Sequence, residues 1–242
     1  MRYFVSFSYD GSCFSGFQRQ KNLKTVQGVF EKVLSSLEGK HVDIVASGRT
    51  DKGTHATGQC AHFDINTDVK EYNLKKYFNR SFNGEIYISS LKKVADNFHA
   101  RYDVKSKVYS YYINMGQFNP IMRNYVYQYC NSLDIDSMKK ASLCLIGEHD
   151  FRSFCTDSKD KDNCVRTIYS IDFSVSNDIL CITFKGSGFL RKMIRNIVII
   201  LIEIGSKKKN ISCMKSILDL KKRNGNLKCA PACGLYLEKV NY

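Results

Sequence analysis

Apolar and polar residues follow regular spacings along the first hundred positions of the chain. Residues 2–9 alternate strictly, as half-buried β-strands do. Apolar residues then recur at helical spacing from Val26 to Leu37, with Thr25 as a capping residue and Gly39 as a stop signal. The pattern continues as two strands, a helix and a strand, at 41–47, 59–65, 73–82 and 86–94. The first half therefore predicts the order strand, helix, strand, strand, helix, strand.

The second half repeats this order. Its predicted elements are a strand, a helix, two strands, a helix and a strand, at 107–114, 134–146, 165–175, 179–185, 189–204 and 235–240, with an extra helix at 211–222. The order β-α-β-β-α-β defines the ferredoxin-like split unit, in which helices cover one face of an antiparallel sheet. We therefore predict an α+β protein with two ferredoxin-like halves, 1–102 and 103–242, that share a mainly antiparallel sheet and form a cleft.

The charge balance points to a polyanionic partner. The chain has 242 residues and carries 37 Lys and Arg against 23 Asp and Glu, a net charge of +14. Such a surplus is typical of proteins that bind nucleic acid or an anionic membrane surface. The longest apolar run, 197–202, is far too short to span a membrane. The first ten residues lack a signal-peptide pattern, and ten scattered cysteines without a CxxC pair indicate reduced thiols, so we expect a cytoplasmic protein.

The segment 47–56 joins two predicted strands. It contains Arg49 and Asp51 between two glycines, and His55 follows the second glycine. Turn chemistry alone explains the glycines and Asp51, because both residue types tolerate tight loops. A loop held between strands is also a place where a scaffold presents reactive groups, and a desolvated Asp beside a cation is a competent nucleophile or base. Both interpretations of Asp51 stay open at this point.

The run 186–196 enters a helix after a strand and contains several basic residues. A phosphate-binding helix N-terminus with solvated cations is one interpretation. Phe189, Met193 and Ile197 mark an inward stripe, however, and Arg195 lies beside it on a strongly apolar helix. An arginine in that setting usually has an anionic partner, for which Asp51 is a candidate.

Aromatic and metal-ligating residues give weaker signals. Tyr109 and Tyr111 share one face of a strand, where they either pack in the core or stack on an unpaired base. His55, Cys60 and His62 suggest zinc, but a fourth ligand is missing, so we expect no metal.

Eight short motifs follow one another in a fixed order. They comprise Tyr9-Asp10-Gly11, Gly16-Phe17-Gln18, Thr25-Val26-Gln27-Gly28, and the residues at 48–56, 98–101, 147–151, 188–196 and 230–237. In this order the chain resembles the bacterial tRNA pseudouridine synthase A family over essentially its whole length. It departs from the family where Phe17 replaces the usual Trp, where Lys52 and Thr54 replace the more common Ala and Val, and in a charged loop at 158–163.

The resemblance implies an isomerase that converts uridines 38–40 of the tRNA anticodon stem-loop to pseudouridine without a cofactor. It implies that Asp51 is the nucleophile, that Arg195 pairs with it, and that Arg49 occupies the space of the flipped uridine. It further implies that Tyr109 packs on the target base and that Leu235 lines the pocket. A homodimer that binds tRNA follows from the same resemblance.

A different class of protein also fits the order of elements. A non-catalytic RNA-binding protein with two RRM-like units has the same split βαβ order, and Lys185-Gly186-Ser187-Gly188-Phe189 is similar to an RRM strand motif. Ser187 stands where that motif needs an aromatic residue, and a helical pattern begins where the strand should continue. Turnover of uridine separates the two classes.

Overall fold

The computed structural model describes residues 1–67, 69–156, 163–222 and 228–242. The charged loop at 158–163, apart from Asn163, lies outside the described residues. The chain divides into two compact units, the first comprising Met1–Lys105 with Tyr236–Tyr242 and the second comprising Ser106–Leu235.

The described residues form a mixture of strands and helices. The strands are β1 (Arg2–Tyr9), β2 (Ile44–Ala46), β3 (His55–Asp64), β4 (Ile86–Val94), β5 (Ser106–Asn114), β6 (Tyr127–Gln128), β7 (Gly147–Asp150), β8 (Val165–Ser176), β9 (Ile179–Gly186) and β10 (Leu235–Asn241). The α-helices are α1 (Val26–Glu38), α2 (Glu71–Ser81), α3 (Ile135–Ser142), α4 (Met193–Gly205) and α5 (Ser212–Asp219). The predicted α+β class is confirmed, and most strand pairs are antiparallel.

In the first unit, β1 lies between β3 and β4 and pairs antiparallel with both. Strand β2 pairs antiparallel with β3, and β10 pairs parallel with it. Helix α1 begins where the Thr25 hydroxyl accepts a hydrogen bond from the Gly28 amide, and it ends at Gly39 in the left-handed conformation. Its buried Phe30 anchors an aromatic core through ring contacts with Phe7, Phe63, Phe78 and Phe82.

In the second unit, a sheet has the strand order β5-β9-β8-β7, and each of these neighbouring pairs is antiparallel. Strand β6 pairs parallel with β5. Helix α4 is its most apolar helix, and ten of its 13 residues are buried. This burial explains the unbroken apolar run at 197–202. No helix among the described residues is long and apolar enough to cross a membrane.

Several element boundaries differ from the sequence-based expectation, and three of these differences have a clear structural cause. Strand β3 begins at His55 rather than at residue 59, because His55 and Ala56 pair with β10. Helix α4 begins at Met193 rather than at residue 189, because Lys192 adopts a left-handed conformation with φ +61°. The sequence pattern places the final strand in the second half, whereas its pairing with β3 groups residues 236–242 with the first unit.

Candidate active site

Buried polar side chains hold the loop between β2 and β3. The Tyr9 hydroxyl hydrogen-bonds the Thr50 hydroxyl at 2.8 Å. At the start of the loop, the Ser47 hydroxyl donates to Gln59 Oε1 at 2.8 Å, and Gln59 Nε2 donates to the Gly48 carbonyl at 3.0 Å. These three contacts fix the backbone on either side of Arg49, whose side chain is exposed.

A tight turn follows at Asp51. The Thr54 amide donates to the Asp51 carbonyl at 3.1 Å, and Gly53 within the turn has φ +79°. A neighbouring segment supports it, since the Phe17 amide donates to the Thr50 carbonyl at 3.1 Å. The turn therefore uses the backbone of Asp51, and its side chain is half-buried. The glycine and turn chemistry expected from the sequence is therefore present.

Tyr9 is a neutral anchor for this loop. Burial raises the pKa of its phenol to about 12, and hydrogen bonds with Thr50 and Gln59 offset part of that effect. The phenol therefore keeps its proton at neutral pH and can serve as a stable hydrogen-bonding partner for Thr50.

The two histidines considered as zinc ligands have structural partners. His55 Nδ1 accepts from the Gly11 amide at 3.1 Å, and its ring stacks on Tyr236 at 4.6 Å. His62 Nδ1 accepts from the Ala100 amide at 3.1 Å. A ring nitrogen that accepts a backbone N–H has its lone pair engaged, so it does not offer that lone pair to a metal.

One other group of possible metal ligands occurs among the described residues, formed by Glu31, His41 and Asp43. A cation of the protein already lies there, because the Arg19 guanidinium is 2.9 Å from Glu31 Oε2 and 3.2 Å from His41 Nε2. We therefore assign these residues to an ion-pair network.

In the second unit, Tyr109 is buried on β5 opposite Phe184 of β9. Its ring meets Phe189 edge-on, with centroids 5.4 Å apart. Tyr111, two residues along the same face, donates its hydroxyl to the Pro231 carbonyl at 2.7 Å, and burial raises its pKa. Tyr111 is therefore a packing residue that holds the 229–231 segment, while Tyr109 lies against the segment that leads into α4.

Arg195 lies in the first turn of α4 and is half-buried. Its Nε donates to the Ala230 carbonyl at 2.7 Å, and the Ala230 amide donates to the Arg195 carbonyl at 3.2 Å. The first bond fixes the guanidinium and the second fixes the helix backbone against the chain that leads to Leu235, the buried first residue of β10.

Sequence reasoning missed the residues that hold these groups in place. Tyr9, Ser47 and Gln59 fix the first loop, and Asn196 ties α4 to its surroundings by donating to the Phe154 carbonyl at 2.8 Å. The sequence did contain two signals for these supporting residues. Gln59 is a polar residue in an apolar strand pattern, and Asn196 is a polar residue in the apolar pattern of α4.

The predicted site residues are distributed between both units. Arg49 and Asp51 lie in the first unit, and Tyr109, Arg195 and Leu235 lie in the second. The pairing of Asp51 with Arg195 stays a prediction.

Comparison with known proteins gives the class of this molecule. The family model described as tRNA pseudouridine synthase matches residues 5–103 and 141–242, most of the chain. Enzymes of this class are isomerases. The chain belongs to the tRNA pseudouridine synthase family, which confirms the resemblance seen in its motifs.

Curated relatives match over nearly the full length. The chain is similar to tRNA pseudouridine synthase A of Geobacillus sp. (strain WCH70), with 40% identity over 97% of this chain and 96% of the relative. It is 42% identical to tRNA pseudouridine synthase A of Listeria monocytogenes serotype 4b, over 100% of this chain and 99% of the relative. The tRNA pseudouridine synthase A of Mycoplasma genitalium is 38% identical over 100% of this chain and 98% of its own length.

Proposed function

We propose that the protein isomerises uridines 38–40 of the tRNA anticodon stem-loop to pseudouridine, with Asp51 as the nucleophile. The observation that carries this proposal is the anchored loop at 47–54, where buried hydroxyl and amide groups hold the backbone beside a half-buried Asp51. Full-length similarity to tRNA pseudouridine synthases supports the substrate.

The reaction needs one activated carboxylate and no redox partner. The C1′–N1 bond breaks and a C1′–C5 bond forms, while the hydrogen on C5 leaves to water and N1 takes up a proton. Asp51 attacks either the ribose C1′ or the base C6, because a carboxylate is a competent nucleophile toward both carbons. The product contains the same atoms and electrons as the substrate, so the reaction needs no oxidant or reductant.

Arg195 acts on Asp51 through charge. A guanidinium beside a carboxylate favours its ionised form, which is the nucleophilic form. The bond from Arg195 Nε to the Ala230 carbonyl supports this role, because it orients the guanidinium plane. Arginine also suits the task because it stays charged at every physiological pH.

The remaining candidate site residues contact a base that has left the helical stack or the space that it vacates. An enzyme that breaks a glycosidic bond in structured RNA must extrude the nucleotide into a pocket. The exposed planar guanidinium of Arg49 is suited to fill the vacated space. Tyr109 packs on the extruded base and assists removal of the C5 proton, and Leu235 lines the pocket.

We further propose a cytoplasmic homodimer in which both chains contact one tRNA. The net charge of +14 supports an RNA partner, and a chain of 242 residues offers limited surface for an L-shaped RNA. Light scattering tests this assembly: a dimer is expected both free and with tRNA, and a stable monomer in both states would exclude it.

Tritium release from bulk tRNA labelled at uridine C5 tests the proposed function. Isomerisation expels that hydrogen, so the protein should release tritium in proportion to time and enzyme. An RNA-binding protein with RRM-like units would bind the tRNA and release none. Strand β9 ends at Gly186, before the aromatic position that an RRM strand motif requires, which favours the enzyme.

A further inference from the structure

The segment after β4 is tied down along its backbone. The Arg2 guanidinium donates to the Phe98 carbonyl at 2.8 Å. The Ala100 amide donates to His62 Nδ1 at 3.1 Å, and the Tyr242 hydroxyl donates to the Ala100 carbonyl at 2.7 Å. Side chains from β1 and β3 and from the residue that follows β10 therefore fix this segment within the first unit.

His99 holds the residues that follow it by further hydrogen bonds. Its Nδ1 accepts from the amides of Arg101 and Tyr102 at 3.2 and 3.3 Å, and its own amide donates to Asp103 Oδ2 at 2.8 Å. Because Nδ1 is an acceptor, the neutral ring carries its proton on Nε2. His99 therefore has a fixed orientation and a defined donor.

The fixed backbone presents the exposed side chains of Arg101 and Tyr102 beside the half-buried His99. Tyr102 is 75% exposed, and its ring stacks on His99 with centroids 4.2 Å apart and planes 27° apart. The guanidinium carbon of the exposed Arg101 lies 5.9 Å from the centroid of the Tyr102 ring. We call His99, Arg101 and Tyr102 the loop platform. A ring that is 75% exposed contributes little to the core.

The three side chains match the chemistry of a nucleotide. An aromatic ring stacks on a base, a guanidinium pairs with a phosphate, and an imidazole N–H donates to phosphate or ribose oxygens. No aliphatic side chain belongs to the loop platform, and the chain carries a net charge of +14, so RNA fits it better than an apolar protein surface.

We propose that the loop platform binds one nucleotide of the RNA substrate, with Tyr102 stacking on its base and Arg101 pairing with its phosphate. This proposal rests on the proposed function, because it takes the ligand to be the tRNA. It adds a contact outside the catalytic residues, one that contributes to affinity and not to chemistry.

The test measures the Kd of fluorescently labelled tRNA by anisotropy. Tyr102→Ala should raise Kd roughly tenfold, the loss of one base stack, while Tyr102→Phe keeps the ring and should bind within twofold of the native protein. Tyr72→Ala is the matched control, because Tyr72 is 73% exposed in the same unit and lies outside the loop platform. It should leave Kd unchanged. Arg101→Gln should reduce the slope of log Kd against log salt by about one.

An unchanged Kd in Tyr102→Ala would overturn the proposal. An equally large loss of affinity in the Tyr72→Ala control would also overturn it. A change of oligomeric state in Tyr102→Ala, seen by light scattering, would instead mark the loop platform as a protein contact and overturn the RNA assignment. If the native protein releases no tritium while Tyr102→Ala still weakens tRNA binding, the proposed function fails and the loop platform stands.

Discussion

At the scale of single residues, the site depends on side chains that do no chemistry. Tyr9 holds Thr50, the residue immediately before Asp51, through a buried hydrogen bond of 2.8 Å. Removing one partner of a buried hydrogen bond leaves the other unsatisfied, which costs about 1–3 kcal/mol.

We therefore expect Tyr9→Phe to lower the free energy of unfolding by about 1–2 kcal/mol. As a positioning residue, Tyr9 should affect kcat for tritium release several-fold and leave KM for tRNA nearly unchanged. Urea unfolding and steady-state kinetics measure the two effects. Equal losses in kcat from Tyr9→Phe and from a distant, equally destabilising variant would show that Tyr9 is merely structural.

His62 gives the protein a stability that depends on pH. Burial lowers its pKa to about 4, and the charges of Arg2 and His99 act in the same direction, while Asp64 and Asp103 oppose them. The folded state therefore keeps His62 neutral, whereas the unfolded chain protonates it near its ordinary pKa of 6.5. The resulting stability is fully present above pH 6.5 and is lost as the pH falls toward 4.

His62→Gln keeps an acceptor for the Ala100 amide and removes the titration. Between pH 6.5 and 4, the native protein should lose about 1–3 kcal/mol more unfolding free energy than this variant. Urea unfolding at a series of pH values measures the difference. Parallel curves for the two proteins would show that His62 is not the group responsible.

At the scale of elements, β3 and β10 approach each other closely at a glycine. A Cβ built at Gly58 would lie 2.2 Å from the backbone carbonyl oxygen of Glu238, a contact that no side-chain movement relieves. At Gly188 the nearest atom would be the Arg166 side chain at 3.8 Å, an ordinary contact.

Gly58→Ala should therefore separate β10 from β3 and lower the free energy of unfolding by about 2 kcal/mol or more. Gly188→Ala is the control and should stay within about 1 kcal/mol of the native protein. Thermal unfolding measures both. Equal melting temperatures for Gly58→Ala and the native protein would contradict the close strand contact.

The same elements show what the sequence can predict. Strands β1 and β4 have the predicted bounds, because their alternation reports directly which face is buried. Helix α1 has the predicted cap at Thr25 and the predicted stop at Gly39, since both signals are local. The early start of β3 was not predictable, because it depends on pairing with a strand about 180 residues away. The late start of α4 was missed because φ +61° at Lys192 has no sequence signal.

The candidate site, too, was predictable from the sequence only in part. Motifs and the family resemblance predicted the site residues, because both depend on the chemistry of individual side chains. These residues are Arg49, Asp51, Tyr109, Arg195 and Leu235. Their supporting contacts were not visible, because Tyr9 with Thr50 and Arg195 with Ala230 are far apart in the sequence. A buried polar residue in an apolar pattern marks such a contact without naming its partner.

At the scale of the whole molecule, the net charge of +14 governs how tRNA binds. Each phosphate that a Lys or Arg neutralises releases counterions, so log affinity should fall steeply and linearly with log salt. We expect at least a tenfold rise in Kd between about 50 and 200 mM salt, measured by anisotropy with labelled tRNA. A flat salt response would contradict a polyanionic partner.

Asp51 is the proposed nucleophile, and one substitution tests this role. Asp51→Asn preserves the size of the side chain and the backbone turn to Thr54, while it removes the anionic oxygen. Tritium release from tRNA labelled at uridine C5 should fall to background, with tRNA affinity within about threefold of native because phosphate contacts persist. Largely intact tritium release by the Asn variant would show that Asp51 is only a turn residue and is not the nucleophile.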